Sequence, residues 1–381
     1  MSLQILPVTT KRQRRRFVDL PRHFPGFDPA VFVPPLRFDQ LRRLDTRRHP
    51  FYRHAEAGFW LALRQGQPVG RISATIDKLS LQRYEDGVAY FGHTLAEDQE
   101  CMDALLGTAK SFLQARGCTR MRGPIELSTN YSCGLQVSGF DRQPMLDMNQ
   151  HPPGQEALLL RAGCEAVQDL LAFRIAEEEL QLARLERLAK ITARRAPATL
   201  RKLDLSRFEE ECRALHRIYE RSWEDNYGFV PMTWDEFAHA AKDFRKIVDP
   251  ETCILAEREG EVVGFALGLP DINQAIKACH GQLLPFGWIR FLRVAKRIHQ
   301  IRVVTLGVLP EHRGRGLDAR LILELTQRGL EVGYNAAELS WVLEQNLPMV
   351  KPMLEIGAKE ATRYRLFEAS TSKDLPGAPA S

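Results

Sequence analysis

Residues 303–319 have the sequence VVTLGVLPEHRGRGLDA, and this stretch decides the fold. An apolar run leads into Pro310, a loop of glycine and arginine, and then apolar residues at helical spacing. This order predicts a strand over 302–308, a tight loop at 312–316 and an amphipathic helix over roughly 314–332. A strand that passes through such a loop into a helix is typical of an α/β unit.

The loop at 312–316 has the composition of an anion site. Gly314 and Gly316 let the backbone approach a ligand closely, and the N–H groups at a helix start attract negative charge. Arg313 and Arg315 add planar, fixed positive charge that suits phosphate oxygens. Gly307 interrupts the strand just before the loop and is expected to mark a bulge.

The loop resembles the acyl-CoA-binding motif of the GCN5-related N-acetyltransferase (GNAT) superfamily, Arg/Gln-x-x-Gly-x-Gly/Ala. Arg313, Gly316 and Asp318 occupy its three defined places, and Asp318 replaces the usual small residue. The resemblance implies that the loop holds the cofactor pyrophosphate, while a splayed strand end at 307–309 holds the pantetheine arm and polarises the thioester carbonyl. The donor-binding residues it implies are Val308, Leu309, Arg313, Gly314, Arg315, Gly316, Leu317 and Asn346. The donor is acyl-CoA or the pantetheine of an acyl carrier protein, with no metal.

A second family element follows the next strand. Family members commonly carry an asparagine there, a tyrosine seven residues later that protonates the leaving thiolate, and a closing Gly-Phe pair. Asn346 is present, but Met353 stands at the tyrosine position and Gly357-Ala358 replaces Gly-Phe. The acid is therefore open, because Tyr334 and Tyr364 are nearby in sequence but no spacing selects either.

The base is open as well. An attacking amine is protonated at neutral pH and must lose a proton. Candidates are Glu344 at a strand end, Asp271 after Leu269-Pro270, and Glu224 or Asp225 after Trp223. Each also suits a turn or a helix cap, and positioning of the reactants alone can supply much of the rate.

The two halves of the chain share one order of elements. Hairpin patterns at 58–76 and 253–267 are each followed by an apolar strand, an amphipathic helix and a further strand. We therefore expect a tandem duplication, with a degenerate GNAT-like domain at 1–175, a linking helix at 176–195, an acyl-CoA-binding GNAT domain at 196–369 and a disordered tail at 370–381. Each unit is expected to be a twisted mixed sheet flanked by helices, of the α/β (α+β) class. The first lacks the glycine–arginine loop, so we do not expect it to bind acyl-CoA in the usual way.

Composition excludes several other classes of protein. The 381 residues carry a net charge of +5, and 44% are hydrophobic, which excludes a wholly disordered chain. Seven cysteines without a Cys-x-x-Cys pair indicate reduced thiols rather than zinc or disulfides. No apolar run reaches the length of a transmembrane helix, and the N-terminus lacks a signal-peptide core. The expected location is the cytoplasm, with possible peripheral contact at the inner membrane.

Several phrases beyond the loop resemble a narrower, tandem branch that includes YghO-type proteins and bacterial ceramide synthases. These phrases lie at 33–36, 49–52, 70–72, 223–231 and 269–273. The resemblance implies an amine acceptor that is lipid-like and of the sphingoid type.

Residues 285–303 mix apolar and basic side chains and contain no acid. Such a segment indicates an interfacial helix in contact with a membrane, a core-facing helix with a solvated basic edge, or a helix that pairs with acids from the other domain. The basic run Lys11–Arg16 is a solvated helix face in the simplest interpretation, and nucleic acid is not an expected partner because no aromatic residues interleave.

The sequence therefore predicts an N-acyltransferase that moves an acyl group from acyl-CoA to an amine. The alternatives are a non-catalytic GNAT-fold binding or regulatory protein, and an acetyltransferase for a small polar amine. A P-loop NTPase is excluded because the loop lacks Gly-Lys-Ser/Thr. A Rossmann dehydrogenase is excluded because the glycine loop lies late in the chain.

Overall fold

The structure is a computed structural model that describes residues 2–193 and 197–372. The chain divides into two compact units. The first comprises Met1–Arg142, Met148–Asp169 and Tyr364–Ser381, and the second comprises Gln143–Asp147 and Leu170–Arg363.

The first unit is a mixed sheet with helices on its faces. Its elements are β1 (Leu3–Pro7), α1 (Lys11–His23), α2 (Arg37–Arg43), β2 (Ala55–Arg64), β3 (Gln67–Asp77), α3 (Lys78–Tyr84), β4 (Val88–Ala96), α4 (Gln99–Gln114), β5 (Arg120–Gly123), β6 (Leu135–Gln136) and α5 (Gln155–Arg161). Strands β1 to β4 are antiparallel neighbours, and β5 pairs parallel with β4. Helix α4 buries Met102, Leu105 and Leu106 in the core below the sheet.

The second unit repeats this plan. The elements from residue 165 onward are β7 (Glu165–Ala176), α6 (Leu182–Ala193), β8 (Thr199–Lys202), α7 (Phe208–Trp223), α8 (Trp234–Phe244), β9 (Cys253–Arg258), β10 (Glu261–Pro270), α9 (Asn273–Ala278), α10 (Gly287–Ala295), β11 (Gln300–Val308), α11 (Leu317–Glu331), β12 (Ala336–Leu343), α12 (Leu347–Glu355) and β13 (Lys359–Ser370). Of these, β7 belongs to the second unit from Leu170 onward, and β13 belongs to it as far as Arg363. The strand order is β7-β12-β11-β10-β9-β8, in which β11 and β12 are parallel. Helix α11 buries Leu317, Leu321 and Leu325, about one helical turn apart, against this sheet.

The last strand of each sequence half lies outside its own half. Strand β7 ends the first half, yet its residues 170–176 pair with β12 in the second unit. Strand β13 ends the second half, yet Phe367–Ser370 pair with β5 in the first unit. The sequence does not predict this exchange, because the closing strands of the two halves have similar alternating patterns and either strand could pair with either sheet. The limits 1–175 and 196–369 therefore stay a sequence-based prediction.

The predicted linking helix at 176–195 begins later than expected. Residues Glu177–Glu179 form a single 3₁₀ turn, and α6 begins at Leu182. Helix α6 packs on α11 within the second unit, where Leu185 and Ala189 are buried. Of the tail predicted at 370–381, Ser370 is the last residue of β13, and residues 373–381 lie outside the described part of the chain.

No helix in residues 2–193 or 197–372 combines the length and the apolar composition that crossing a bilayer requires. All seven cysteines lie within these residues, are buried and form no disulfide.

Candidate active site

Strands β11 and β12 run side by side and then separate. Their pairing runs from Gln300–Ala336 to Val303–Leu339 and stops there. Beyond that point β11 continues against β10, and β12 continues against β7. Two parallel strands that part in this way leave backbone N–H and C=O groups facing a V-shaped cleft. The splayed strand end implied by the sequence resemblance is therefore present.

A bulge lies where the strands separate. Val303 pairs with Gly268 and Thr305 pairs with Leu267, so Val304 has no partner on β10. The expectation that Gly307 marks the bulge is wrong by three residues. Gly307 is needed for a different reason, because a Cβ there would lie 2.9 Å from Cζ3 of Trp223.

Substituting Gly307 by Ala is expected to destabilise the second unit by about 1–3 kcal/mol, since the new methyl would meet Trp223 on one side and Phe265 on the other. Urea unfolding measures the change. Gly329→Ala in α11 is the control, because the nearest atom to a Cβ there is 4.0 Å away and Ala favours a helix by about 0.5–1 kcal/mol. Equal stability of Gly307→Ala and wild type would contradict the packing argument.

The loop after β11 has the backbone that its glycines predict. A 3₁₀ turn at Pro310–His312 leads to Gly314 at φ 70° and Gly316 at φ 79°. Both values lie in the left-handed region that favours glycine. Helix α11 begins at Leu317, three residues later than the sequence predicts, and Gly316 precedes it without a side-chain cap. The first N–H groups of α11 therefore point out of the helix end toward the loop.

The two arginines of the loop differ in what they contact. Arg313 donates from Nε to the Val308 carbonyl at 3.1 Å, and its guanidinium also donates to the Ser222 carbonyl. It thus ties the strand end to α7. Arg315 is exposed and forms no hydrogen bond or ion pair with any described residue, so it is the arginine available to a phosphate.

Two backbone groups of the implied pantetheine site are already engaged. The Val308 carbonyl also accepts from Oγ of Ser222 at 3.0 Å, and the Leu309 N–H donates to the Val263 carbonyl at 2.9 Å. Of the residues between the bulge and these two groups, Thr305, Leu306 and Gly307 pair with β10, and Val304 does not.

The second family element lies at the end of β12. Asn346 precedes α12, and its carbonyl accepts the N–H groups of Met349 and Val350 at 2.9 Å. Met353 is buried and packs with Leu171 and the other apolar side chains beneath β12. Its thioether carries no ionisable proton, so Met353 offers none to a leaving thiolate.

The two tyrosines considered for the acid lie in different environments. The hydroxyl of Tyr334 donates to Asp249 at 3.2 Å, and burial raises its pKa. Tyr364 is fully buried in β13 of the first unit.

The candidate bases separate clearly by environment. Glu344 is exposed and forms an ion pair with Arg363 at 2.6 Å, while Glu224 and Asp225 lie exposed beyond α7. Asp271 is 2% exposed and directly follows β10. Of the candidates, Asp271 alone is shielded from water as a proton acceptor for a desolvated amine should be.

Burial raises the pKa of Asp271 to about 6, against hydrogen bonds that lower it. The carboxyl accepts from the Asn273 N–H at 3.3 Å and from Nε2 of Gln274 at 3.3 Å. The charge of Glu338 raises this pKa further. A carboxyl that titrates near neutral pH can both accept and release a proton during turnover.

Sequence reasoning missed the polar cluster next to Asp271. Arg302 is buried and donates to Oγ of Ser340 at 3.0 Å, to the Ser340 carbonyl at 3.2 Å and to the Leu146 carbonyl at 2.7 Å. Ser340 in turn donates to Oε1 of Glu338 at 2.9 Å, and burial raises the pKa of Glu338 while Arg302 lowers it. Arg302 and Glu338 are cross-strand partners one pair before β11 and β12 separate. The sequence did carry a signal for this cluster, because Arg302 and Glu338 are charged residues within the otherwise apolar strands β11 and β12.

The corresponding place in the first unit is filled by main chain. After β4 and β5 pair from Val88–Arg120 to Tyr90–Arg122, the Ile125 N–H donates to the Phe91 carbonyl at 2.7 Å. A Cβ on Gly92 would lie 2.2 Å from the Ile125 carbonyl oxygen. The expectation that the first unit does not bind acyl-CoA in the usual way stays a prediction.

Comparison of the sequence with known proteins identifies the family to which the chain belongs. The sequence model of the acetyltransferase (GNAT) family matches residues 212–352. The bacterial ceramide synthase of Caulobacter vibrioides is 34% identical over 375 residues, covering 96% of this chain and 97% of that protein. The chain belongs to the GNAT family. Protein YghO of Escherichia coli is 32% identical over 366 residues, covering 94% of this chain and 93% of YghO.

Solved GNAT structures share the tandem fold. The tandem GNAT protein from the clavulanic acid biosynthesis pathway has a TM-score of 0.58 at 13% identity, and covers 98% of this chain and 100% of its own. A GNAT protein from Sphaerobacter thermophilus has a TM-score of 0.52 at 13% identity, with 98% and 97% covered. At such low identity these structures show the fold alone, and they confirm two tandem GNAT-like units of α/β class.

Proposed function

We propose that this GNAT protein is an N-acyltransferase that transfers an acyl group from acyl-CoA to an amine. The observation that carries the proposal is the separation of β11 from β12 directly before the Gly314–Gly316 loop. The loop and Arg315 would hold the pyrophosphate at the start of α11, and the cleft would hold the pantetheine arm. An acyl carrier protein presents the same arm and is the alternative donor.

Asp271 is proposed as the proton acceptor. It takes a proton from the bound ammonium group, and the neutral amine then attacks the thioester carbon. The C–N bond forms as the carbonyl π electrons move onto oxygen, which gives a tetrahedral oxyanion. The carbonyl re-forms as the C–S bond breaks and the thiolate of CoA leaves, and a second proton from the amine nitrogen neutralises the thiolate. The amine nitrogen thus loses two protons, of which one ends on sulfur and one on Asp271 and then in solvent. Backbone N–H groups near the bulge at Val304 would stabilise the oxyanion.

For the acceptor we propose a lipid-like amine of the sphingoid type. The support is the name of the Caulobacter relative, a ceramide synthase, at 34% identity over nearly the full length of both chains. Because a long-chain amine resides in a bilayer, we propose further that the protein works as a peripheral membrane protein.

The test is transfer by the purified full-length chain. Acetyl-CoA and palmitoyl-CoA are each offered with sphinganine in mixed micelles or with spermidine, and free thiol and N-acyl product are measured. Amide formation with sphinganine alone supports the proposal. Acetylation of spermidine alone would indicate a small-amine acetyltransferase, and binding of acyl-CoA without transfer to either amine would indicate a binding protein. Either result overturns the lipid acceptor.

Thr305 provides a further prediction. Its Oγ1 is buried without a hydrogen-bond partner among the described residues, and it follows the bulge residue in the strand. A buried hydroxyl without a partner is costly, so Thr305→Val is expected to leave stability unchanged or raise it by up to about 1 kcal/mol. If the hydroxyl binds the reacting groups, the same substitution lowers the acyl-transfer rate about tenfold at constant fold. An unchanged acyl-transfer rate in a folded Thr305→Val variant would show that Thr305 does not contact the reacting groups.

A further inference from the structure

The connection between β10 and β11 forms a distinct lobe, residues 271–299, which contains α9 and α10. Helix α10 packs on α9. Gly287 lies tightly against the main chain that joins the two helices, because a Cβ there would lie 1.8 Å from the Gln282 carbonyl oxygen. Asp271 begins this lobe, and β11 with Arg302 follows its end. The two ends of the lobe thus reach the buried polar cluster of the candidate active site.

Apolar side chains are exposed on the outer surface of the lobe. Leu284 is 80% exposed and Phe286 is 73% exposed, just before α10. Trp288, Ile289 and Leu292 are also exposed, and their i, i+3 and i, i+4 spacing places them on one face of the helix. The helix covers only Gly287–Ala295 of the segment 285–303, and none of its residues is fully buried.

Unpaired cations lie next to the apolar face. Arg290 and Arg293 lie on α10 at i, i+3 spacing, and Lys296 and Arg297 follow directly after its last residue. All four are exposed and form no ion pair or hydrogen bond through their side chains with any described residue. Residues 272–310 contain no Asp or Glu at all. The surface therefore presents uncompensated positive charge and apolar bulk together.

We propose that this surface, defined as Leu284, Phe286, Trp288, Ile289, Leu292, Arg290, Arg293, Lys296 and Arg297, docks on an anionic phospholipid bilayer. A basic stripe beside an exposed apolar stripe is the pattern of a helix that lies in the plane of a membrane interface. A nucleic acid or an acidic protein would satisfy the cations but would leave Leu284 and Phe286 without an apolar environment. The docked lobe would hold a bilayer-resident amine near Asp271, a consequence that rests on the proposed function.

Vesicle flotation of the full-length chain tests the surface. The vesicles contain phosphatidylcholine alone or with about one third phosphatidylglycerol. Each cation near an anionic leaflet contributes about a factor of five to binding, so the triple variant Arg290→Ala, Arg293→Ala and Arg297→Ala is expected to bind about 100-fold more weakly. The matched control is Lys11→Ala, Arg12→Ala and Arg15→Ala, which removes the same charge from exposed positions on α1. Equal loss in both triples would show a net-charge effect and overturn the docking surface.

The apolar half of the surface has its own control. Phe286→Ser is expected to weaken vesicle binding about tenfold, whereas Phe38→Ser, at a 64% exposed phenylalanine on α2, is expected to leave it unchanged. Insertion of Trp288 predicts a blue shift of fluorescence on anionic vesicles that is absent in Trp288→Phe. Binding to phosphatidylcholine alone that equals binding to anionic vesicles would overturn the anionic leaflet as the partner.

The two proposals fail in different ways. A protein that does not bind anionic vesicles but acylates a detergent-solubilised long-chain amine overturns the docking surface and leaves the proposed function standing. A protein that binds the vesicles through α10 but transfers no acyl group overturns the proposed function and leaves the docking surface standing. If both proposals hold, the triple variant at Arg290, Arg293 and Arg297 loses acyl transfer to a vesicle-embedded amine and keeps acyl transfer to the detergent-solubilised amine.

Discussion

Gly316→Trp is expected to weaken acyl-CoA binding about 100-fold, close to 3 kcal/mol, in calorimetry with the purified chain. Gly316 holds φ 79° immediately before α11, where the backbone turns its N–H groups toward the loop. A side chain at this φ costs about 1–2 kcal/mol, and an indole at the helix start also occupies the space in which a pyrophosphate would lie.

The matched control is Gly260→Trp in the turn between β9 and β10. Gly260 has φ 83° with no atom within 4 Å of an added Cβ, so the two variants carry similar backbone strain in the same unit. We expect a similar fall in melting temperature for both and a fall in acyl-CoA affinity for Gly316→Trp only. Arg315→Ala is expected to weaken binding about tenfold, because it removes one charge-assisted contact with phosphate. Equal affinities of Gly316→Trp and Gly260→Trp would exclude the loop as the pyrophosphate site.

The loop was predictable from the sequence because its determinants are local. Left-handed glycines, a strand before them and a helix after them follow from a few consecutive residues, and the structure has Gly314 and Gly316 where φ is positive. The duplication was predictable for a related reason, since hairpin turns and apolar periodicity recur in both halves.

What the sequence could not supply depends on contacts between distant residues. Gly307 was interpreted as a bulge, but its role is set by Trp223, 84 positions earlier, and the bulge itself is at Val304. Arg313 matched the motif, but it donates to protein carbonyls, whereas Arg315 has no hydrogen bond or ion pair with any residue in 2–193 or 197–372. The exchange of β7 and β13 followed no local signal.

Asp271 and Glu344 show the same limit for the candidate base. Both are acids near strand ends in the sequence, and both were candidates. Burial separates them, because Asp271 is enclosed beside Glu338 whereas Glu344 pairs with Arg363 in solvent. Burial of Asp271 depends on how the connection between β10 and β11 packs on the sheet. The hydrophobic periodicity of the sequence does not specify that packing.

Asp271→Asn is expected to lower the rate of acyl transfer by a factor of about 100–1000 while acyl-CoA binding stays unchanged, since the amide keeps the shape of the carboxyl but accepts no proton. Glu344→Gln is the matched control and is expected to retain most of the activity. The pH profile adds a second readout. Wild-type kcat/KM should rise as pH increases through about 6, where Asp271 loses its proton, and the variant should lack this limb.

Stability against pH separates a chemical role from a structural one. The pKa of Asp271 is raised from 3.8 to about 6 by burial, so the folded state favours the protonated form. The stabilisation of that form is complete below about pH 4 and is lost as pH rises through about 6, at a total of about 3 kcal/mol. Asp271→Asn removes this titration, and its free energy of unfolding at pH 8 should equal or exceed that of wild type. A variant that is more stable than wild type yet nearly inactive would assign Asp271 to proton transfer, whereas full activity with the low-pH limb intact would move the base to another group of the buried cluster, with Glu338 the next to test.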